Sequence, residues 1–183
     1  MRAIALTTKG ACLIALALTA LTGIGEVSAQ SNAVSINGSI IANTCTLNTP
    51  NLTVDLGQVS VGAIMAVGVG SPIPASTPVT IQLTCQAGAN VAMTMQDAAT
   101  PGSTLPYIAL TPATGVAGGV GIQLARASDN SAVPLGPNAQ WTVATNVTAG
   151  VLSIPLQAHY YRTASGVGSG AANAGALFTL EYP

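Results

Sequence analysis

Residues 79–85 alternate without interruption: Val79, Ile81, Leu83 and Cys85 fall on one face, and Thr80, Gln82 and Thr84 on the other. That period of two belongs to a half-buried β-strand and to no helix. The pattern recurs along the chain. Val34, Ile36, Gly38 and Ile40 oppose Ser35, Asn37 and Ser39, and Leu52, Val54 and Leu56 run on until Gly57. Val91, Met93 and Met95 lead to Asp97 and the turn at Pro101-Gly102, while Val120, Ile122 and Leu124 alternate with Gly121, Gln123 and Ala125. Leu152, Ile154, Leu156, Ala158 and Tyr160 form another face, and the chain closes on Ala176, Phe178, Leu180 and Tyr182. Gly/Pro/Ser stretches such as Gly70-Ser71-Pro72 and Gly166–Gly170 separate the runs. Short strands divided by turn signals point to an all-β sandwich.

Composition closes off the helical alternative. Charged residues are 5% of the 183, against about a quarter in an ordinary soluble protein. Lys9 is the single lysine, and Glu26 and Glu181 are the only glutamates. Such a chain cannot clothe the outer face of an amphipathic helix. A net charge of −1 with no basic stripe leaves no footprint for nucleic acid and nothing to hold an anionic membrane surface.

The first residues have a separate logic. Arg2 and Lys9 precede an apolar run, Ala11–Ile24, followed by the small residues Val27-Ser28-Ala29. This is the pattern of a secretory signal peptide, residues 1–29, with cleavage expected after Ala29. The run is 14 residues long, short of the roughly 20 a bilayer-spanning helix needs, so no membrane insertion of the mature chain is expected. Cys12 leaves with the leader. Cys45 and Cys85 remain, and an even pair in an exported chain reads as a disulfide. A zinc site is the weaker reading, since two thiols and one His do not complete it. No second domain or linker is visible, and the Gly-rich stretches do not follow a strand and open a helix, so they read as loops rather than phosphate cradles.

Nothing assembles into chemistry. His159, Tyr160 and Tyr161 are adjacent, but a lone His without a nucleophile and an orienting acid does not make a catalytic site. The acids Asp55, Asp97, Asp129 and Glu181 are scattered rather than paired. No catalytic residue, metal or cofactor is expected, and the chain reads as a non-enzyme.

The whole mature chain resembles the fimbrial (pilus) subunits of the bacterial chaperone–usher pathway, the type 1 fimbrial protein family. The likeness rests on the alternating stretch Ile36–Thr44 entering Cys45, on Val54-Asp55-Leu56-Gly57-Gln58-Val59, and on Ile81-Gln82-Leu83-Thr84-Cys85. Gly119–Leu124, Pro134-Leu135-Gly136, Leu156-Gln157-Ala158 and the end Gly170–Asn173 through Phe178–Pro183, with its penultimate Tyr, continue it. His159 stands where many relatives carry Arg, a change expected to alter a surface contact only.

The resemblance implies an incomplete immunoglobulin-like β-sandwich, the pilin fold missing its last strand, in residues 44–183. It also implies an N-terminal donor-strand extension, residues 30–43. Val34, Ile36 and Ile40 would be the donor's knobs, with Gly38 at a close approach. Phe178, Leu180, Tyr182 and Pro183 would serve the acceptor groove and chaperone contact. The implied partners are other pilus subunits, a periplasmic chaperone and an outer-membrane usher, and the implied location is the extracellular fimbrium, reached through the periplasm. A receptor-binding tip protein, a stand-alone carbohydrate-binding sandwich and a secreted enzyme are the competing readings.

Overall fold

The computed structural model describes residues 44–48 and 50–183. The expected leader and the extension with Val34, Ile36, Gly38 and Ile40 lie outside them.

Two sheets with antiparallel ladders enclose the core. The first holds β1 (Cys45–Leu47), β2 (Ser71–Pro72), β3 (Thr77–Cys85), β5 (Val120–Arg126) and β7 (Gly150–Arg162). Strand β7 is its spine. Strands β2 and β3 run along one edge of β7, with Val79 opposite Leu156 and Ile81 opposite Ile154. Strand β5 takes the other edge, with Ile122 opposite Tyr160 and Leu124 opposite Ala158. The second sheet has the order β6 (Trp141–Ala144), β4 (Val91–Asp97), β8 (Ala176–Glu181). Inward residues of both sheets meet in one cluster that includes Ile81, Leu83, Val91, Met93, Met95 and Leu156.

The alternation of β3 is realised: Val79, Ile81, Leu83 and Cys85 are buried, and Thr80, Gln82 and Thr84 are exposed. Strand β4 departs from it, because Ala92 and Thr94 are buried along with Val91, Met93 and Met95. A polar bridge shades its outer face. Thr94 Oγ1 donates to Glu181 at 3.4 Å, and the other oxygen of Glu181 accepts from the Gln140 amide. Cys45 and Cys85 are direct cross-strand partners and form the expected disulfide.

Three local features differ from the sequence reading. Leu52, Val54 and Leu56 form no strand; residues 51–60 carry no ladder, although Val54 and Leu56 still turn towards the core. Asp55 curls this segment by accepting the N–H of Gly57 at 2.8 Å. A single turn of helix, α1 (Val61–Met65), follows, capped by Ser60, whose hydroxyl accepts from the Ala63 N–H. Ser71-Pro72, read as loop, pairs with Tyr161 and Arg162 of β7. Finally, His159 is buried rather than superficial, its Nδ1 3.1 Å from the Ile73 carbonyl, which makes that nitrogen the donor.

Candidate functional site: an apolar groove beside the last strand

A cavity of about 1120 Å³ runs between the sheets. Its floor is the inward face of the first sheet, with Val79, Ile81, Ile122, Leu124, Leu156 and Ala158. Residues 50–59, the segment without a ladder, form one wall, and residues 167–178 the other. The alternation that buries hydrophobic residues on β3, β5 and β7 therefore also furnishes the groove. Among the described residues lining it, Asp55 is the only charged one. A site of this kind can take an extended apolar segment. His159 lies on the opposite face of β7 from Leu156 and Ala158.

Strand β8 borders the groove. Among the described residues it pairs only with β4, Met95 opposite Phe178 and Met93 opposite Leu180. No described strand pairs with its other edge, and an edge of that kind can recruit another strand. Phe178, Leu180 and Tyr182 are half-buried, while Leu177, Thr179 and Glu181 are exposed. Phe178 lines the cavity; Leu180 and Tyr182 pack against the core cluster. Tyr182 Oη donates to the Cys45 carbonyl at 2.7 Å, and the Pro183 carbonyl accepts from the Asn90 side-chain amide at 3.2 Å. Of the four C-terminal residues singled out in the sequence, Phe178 and Leu180 lie on β8 and Tyr182 and Pro183 just beyond it, and they divide between groove lining and anchoring.

Two residues that the sequence reading left without a role organise the ends of the groove. Arg162 spreads its guanidinium over four backbone carbonyls. Nη1 reaches Met65 and Val67 at 3.0 and 2.7 Å, Nε reaches Ala164 at 3.0 Å, and Nη2 reaches Ser165 at 2.8 Å. Asp97, 1% exposed, ends β4 and accepts from three backbone amides and one hydroxyl. The Asp97-x-x-Thr100 spacing before Pro101-Gly102 was its one signal in the sequence, as a side chain able to cap its own turn. Among the described residues no cluster of His, Cys, Asp and Glu could hold a metal ion, and no helix is long and apolar enough to cross a membrane.

An all-β immunoglobulin-like sandwich with an apolar groove against its last strand defines the pilin class of fold. The Fimbrial protein family model matches residues 34–183, and the chain belongs to that family: it is a fimbrial protein, not an enzyme. It is 29% identical over 164 residues to the F17c-G fimbrial adhesin of Escherichia coli, a match covering 85% of this chain and 46% of the adhesin. The chain thus spans about half the length of that relative. Among solved structures it is similar to the CupB6 tip adhesin of Pseudomonas aeruginosa, with a TM-score of 0.59 and 24% identity over 71% of this chain and 36% of that one. It is also similar to a chain from a chaperone-usher pilus solved to explain rod uncoiling, with a TM-score of 0.57 and 20% identity over 86% of this chain and 98% of the other.

Proposed function

We propose that the chain is a structural subunit of an adhesive surface fimbria and is assembled by donor-strand exchange. Residues 1–29 direct export and are removed. A periplasmic chaperone fills the groove first and contacts the C-terminal residues Phe178, Leu180, Tyr182 and Pro183. At the outer-membrane usher, residues 30–43 of another subunit replace the chaperone's strand. The observation that carries this reading is the outer edge of β8, which has no partner strand among the described residues, beside a groove floored by Val79, Ile81, Ile122 and Leu156. Strand addition draws affinity from main-chain hydrogen bonds and register from alternate side chains in pockets. Val34, Ile36 and Ile40 would each contribute roughly 1.5–3 kcal/mol on full burial, and Gly38 would lie where no side chain fits.

The test compares residues 30–183 with a form lacking 30–43, by size-exclusion chromatography and by resistance to SDS without boiling. SDS-resistant ladders from the longer form alone support an intermolecular donor. Stable monomers from both forms overturn it. In cells, Ile36→Asn and Gly38→Val should leave secretion intact and prevent incorporation into fibres.

A second reading, in which the chain serves at or near the fimbrial tip, draws on its likeness to a fimbrial adhesin and to a tip adhesin. Immunogold labelling along the whole shaft supports the shaft subunit; labelling confined to tips supports this alternative.

A further inference from the structure

Asp97 belongs to the same inward series of β4 as Val91, Met93 and Met95, yet it carries a buried carboxylate, opposite Ala176 of the groove lining. Its Oδ1 accepts the N–H groups of Ala99 at 2.8 Å and Thr100 at 3.3 Å. Its Oδ2 accepts the Thr100 hydroxyl at 2.6 Å and the Ala109 N–H at 2.8 Å. Ala109 follows Ile108, whose N–H and C=O both pair with Ile122 of β5 at 2.7 and 3.0 Å. Ile108 is 3% exposed and lines the groove. Next to Asp97 along the chain, the Ala98 N–H donates to the Gly175 carbonyl at 2.9 Å, where the opposite wall enters β8. A side chain of one sheet therefore holds the segment that pairs with the other sheet, next to Ile108 of the groove lining.

We propose that Asp97 is a positioning residue for the groove, an inter-sheet clasp that fixes the end wall at Ile108 and lets go in acid. The inference rests on the groove being the functional site, but its test needs no donor strand. An ionised carboxylate is acceptor-only and suits four donors; once protonated, one oxygen carries an O–H that faces them instead. The titratable groups on the surrounding elements are Tyr107, Arg126, Glu181 and Tyr182, and none hydrogen-bonds or ion-pairs with Asp97. Its charge is held by neutral donors alone. Burial raises its pKa, but the Thr100 hydroxyl and the amides of Ala109, Ala99 and Thr100 outweigh that and hold it below the ordinary 3.8. The clasp is thus complete above the ordinary carboxylate range and fails as pH falls through the lowered value.

The experiment is hydrogen exchange at single amides of the protein, at pH 7 and in steps down through pH 2.5 to pH 1.5, corrected for intrinsic rates. Protection of Ile108 and Ala109 should fall about tenfold or more in acid while Leu83 and Ile154 keep theirs, as expected of a local opening. Asp97→Asn should show the same loss at pH 7 and no further loss in acid. Thr100→Val, which removes a single donor, should show a smaller loss at pH 7 and covers the case in which Asp97→Asn does not fold. Unchanged protection of Ile108 and Ala109 in acid, or full protection in Asp97→Asn, overturns the clasp. If these amides respond but a peptide of residues 30–43 does not bind, the clasp stands and the donor-strand reading fails.

Discussion

Tyr182 Oη donates to the Cys45 carbonyl at 2.7 Å, joining the last turn of the chain to the first described strand across 137 residues. Cys45 is itself bonded to Cys85, so β1, β3 and the end of β8 are tied at one corner of the sandwich.

Tyr182→Phe removes that hydrogen bond and keeps the ring against the core. The expected loss is about 1 kcal/mol, a fall in Tm of about 2–4 °C for a domain of this size. Thermal unfolding followed by circular dichroism measures it; an unchanged Tm would mean that the ring's packing alone anchors the strand.

Removal of the disulfide by the double substitution Cys45→Ser, Cys85→Ser should cost about 4 kcal/mol, because the loop it closes is long. Urea titration of the variant and the oxidised protein gives the difference. A cost below about 1 kcal/mol would show that the disulfide confines the unfolded chain little.

Gly119 has φ +69°, and a Cβ placed there would lie 2.0 Å from the Gly166 carbonyl oxygen. Gly119→Ala therefore meets backbone strain and a clash with main chain that cannot rotate away. Destabilisation of at least about 2 kcal/mol is expected. A variant with wild-type stability would require residues 164–166 to move freely, which peptide-level exchange would reveal.

Arg162→Lys keeps the charge but loses the planar fork that serves Met65, Val67, Ala164 and Ser165 together. A loss of about 1–2 kcal/mol is expected. Limited proteolysis should find new cleavage near residues 65–70 and 163–166, and none in β3. Equal resistance of variant and parent would count against the guanidinium as the tie between these two loops.

The sandwich was legible because its signal is local. On β3, every second residue from Val79 to Cys85 is apolar, and those are the residues that are buried. The same signal misled at Leu52–Leu56. Alternation reports that one side of a segment faces the core, and Val54 and Leu56 do; it does not report a neighbour with which to share a ladder. Strand β6, Trp141–Ala144, went unread because four residues hold too short a pattern, and its place is set by β4. His159 is expected at the surface because many relatives of the resembled family carry Arg there; it lies opposite Leu156 and Ala158, and only the fold brings the Ile73 carbonyl to its ring.

The sequence alone determined that the chain is built of strands and which faces of most of them are apolar, and it pointed to Cys45 and Cys85 as the disulfide pair. These depend on side-chain period and residue type, properties of neighbours along the chain. Tertiary structure decided which strand edges are paired, that residues 50–59 and 167–178 face each other across a groove, and that Asp97 and Arg162 fasten its surroundings. Those outcomes depend on contacts such as Tyr182 with Cys45 and Arg162 with Val67, between residues far apart in the chain. No period in the sequence encodes them, because they exist only once the two sheets have closed on one core.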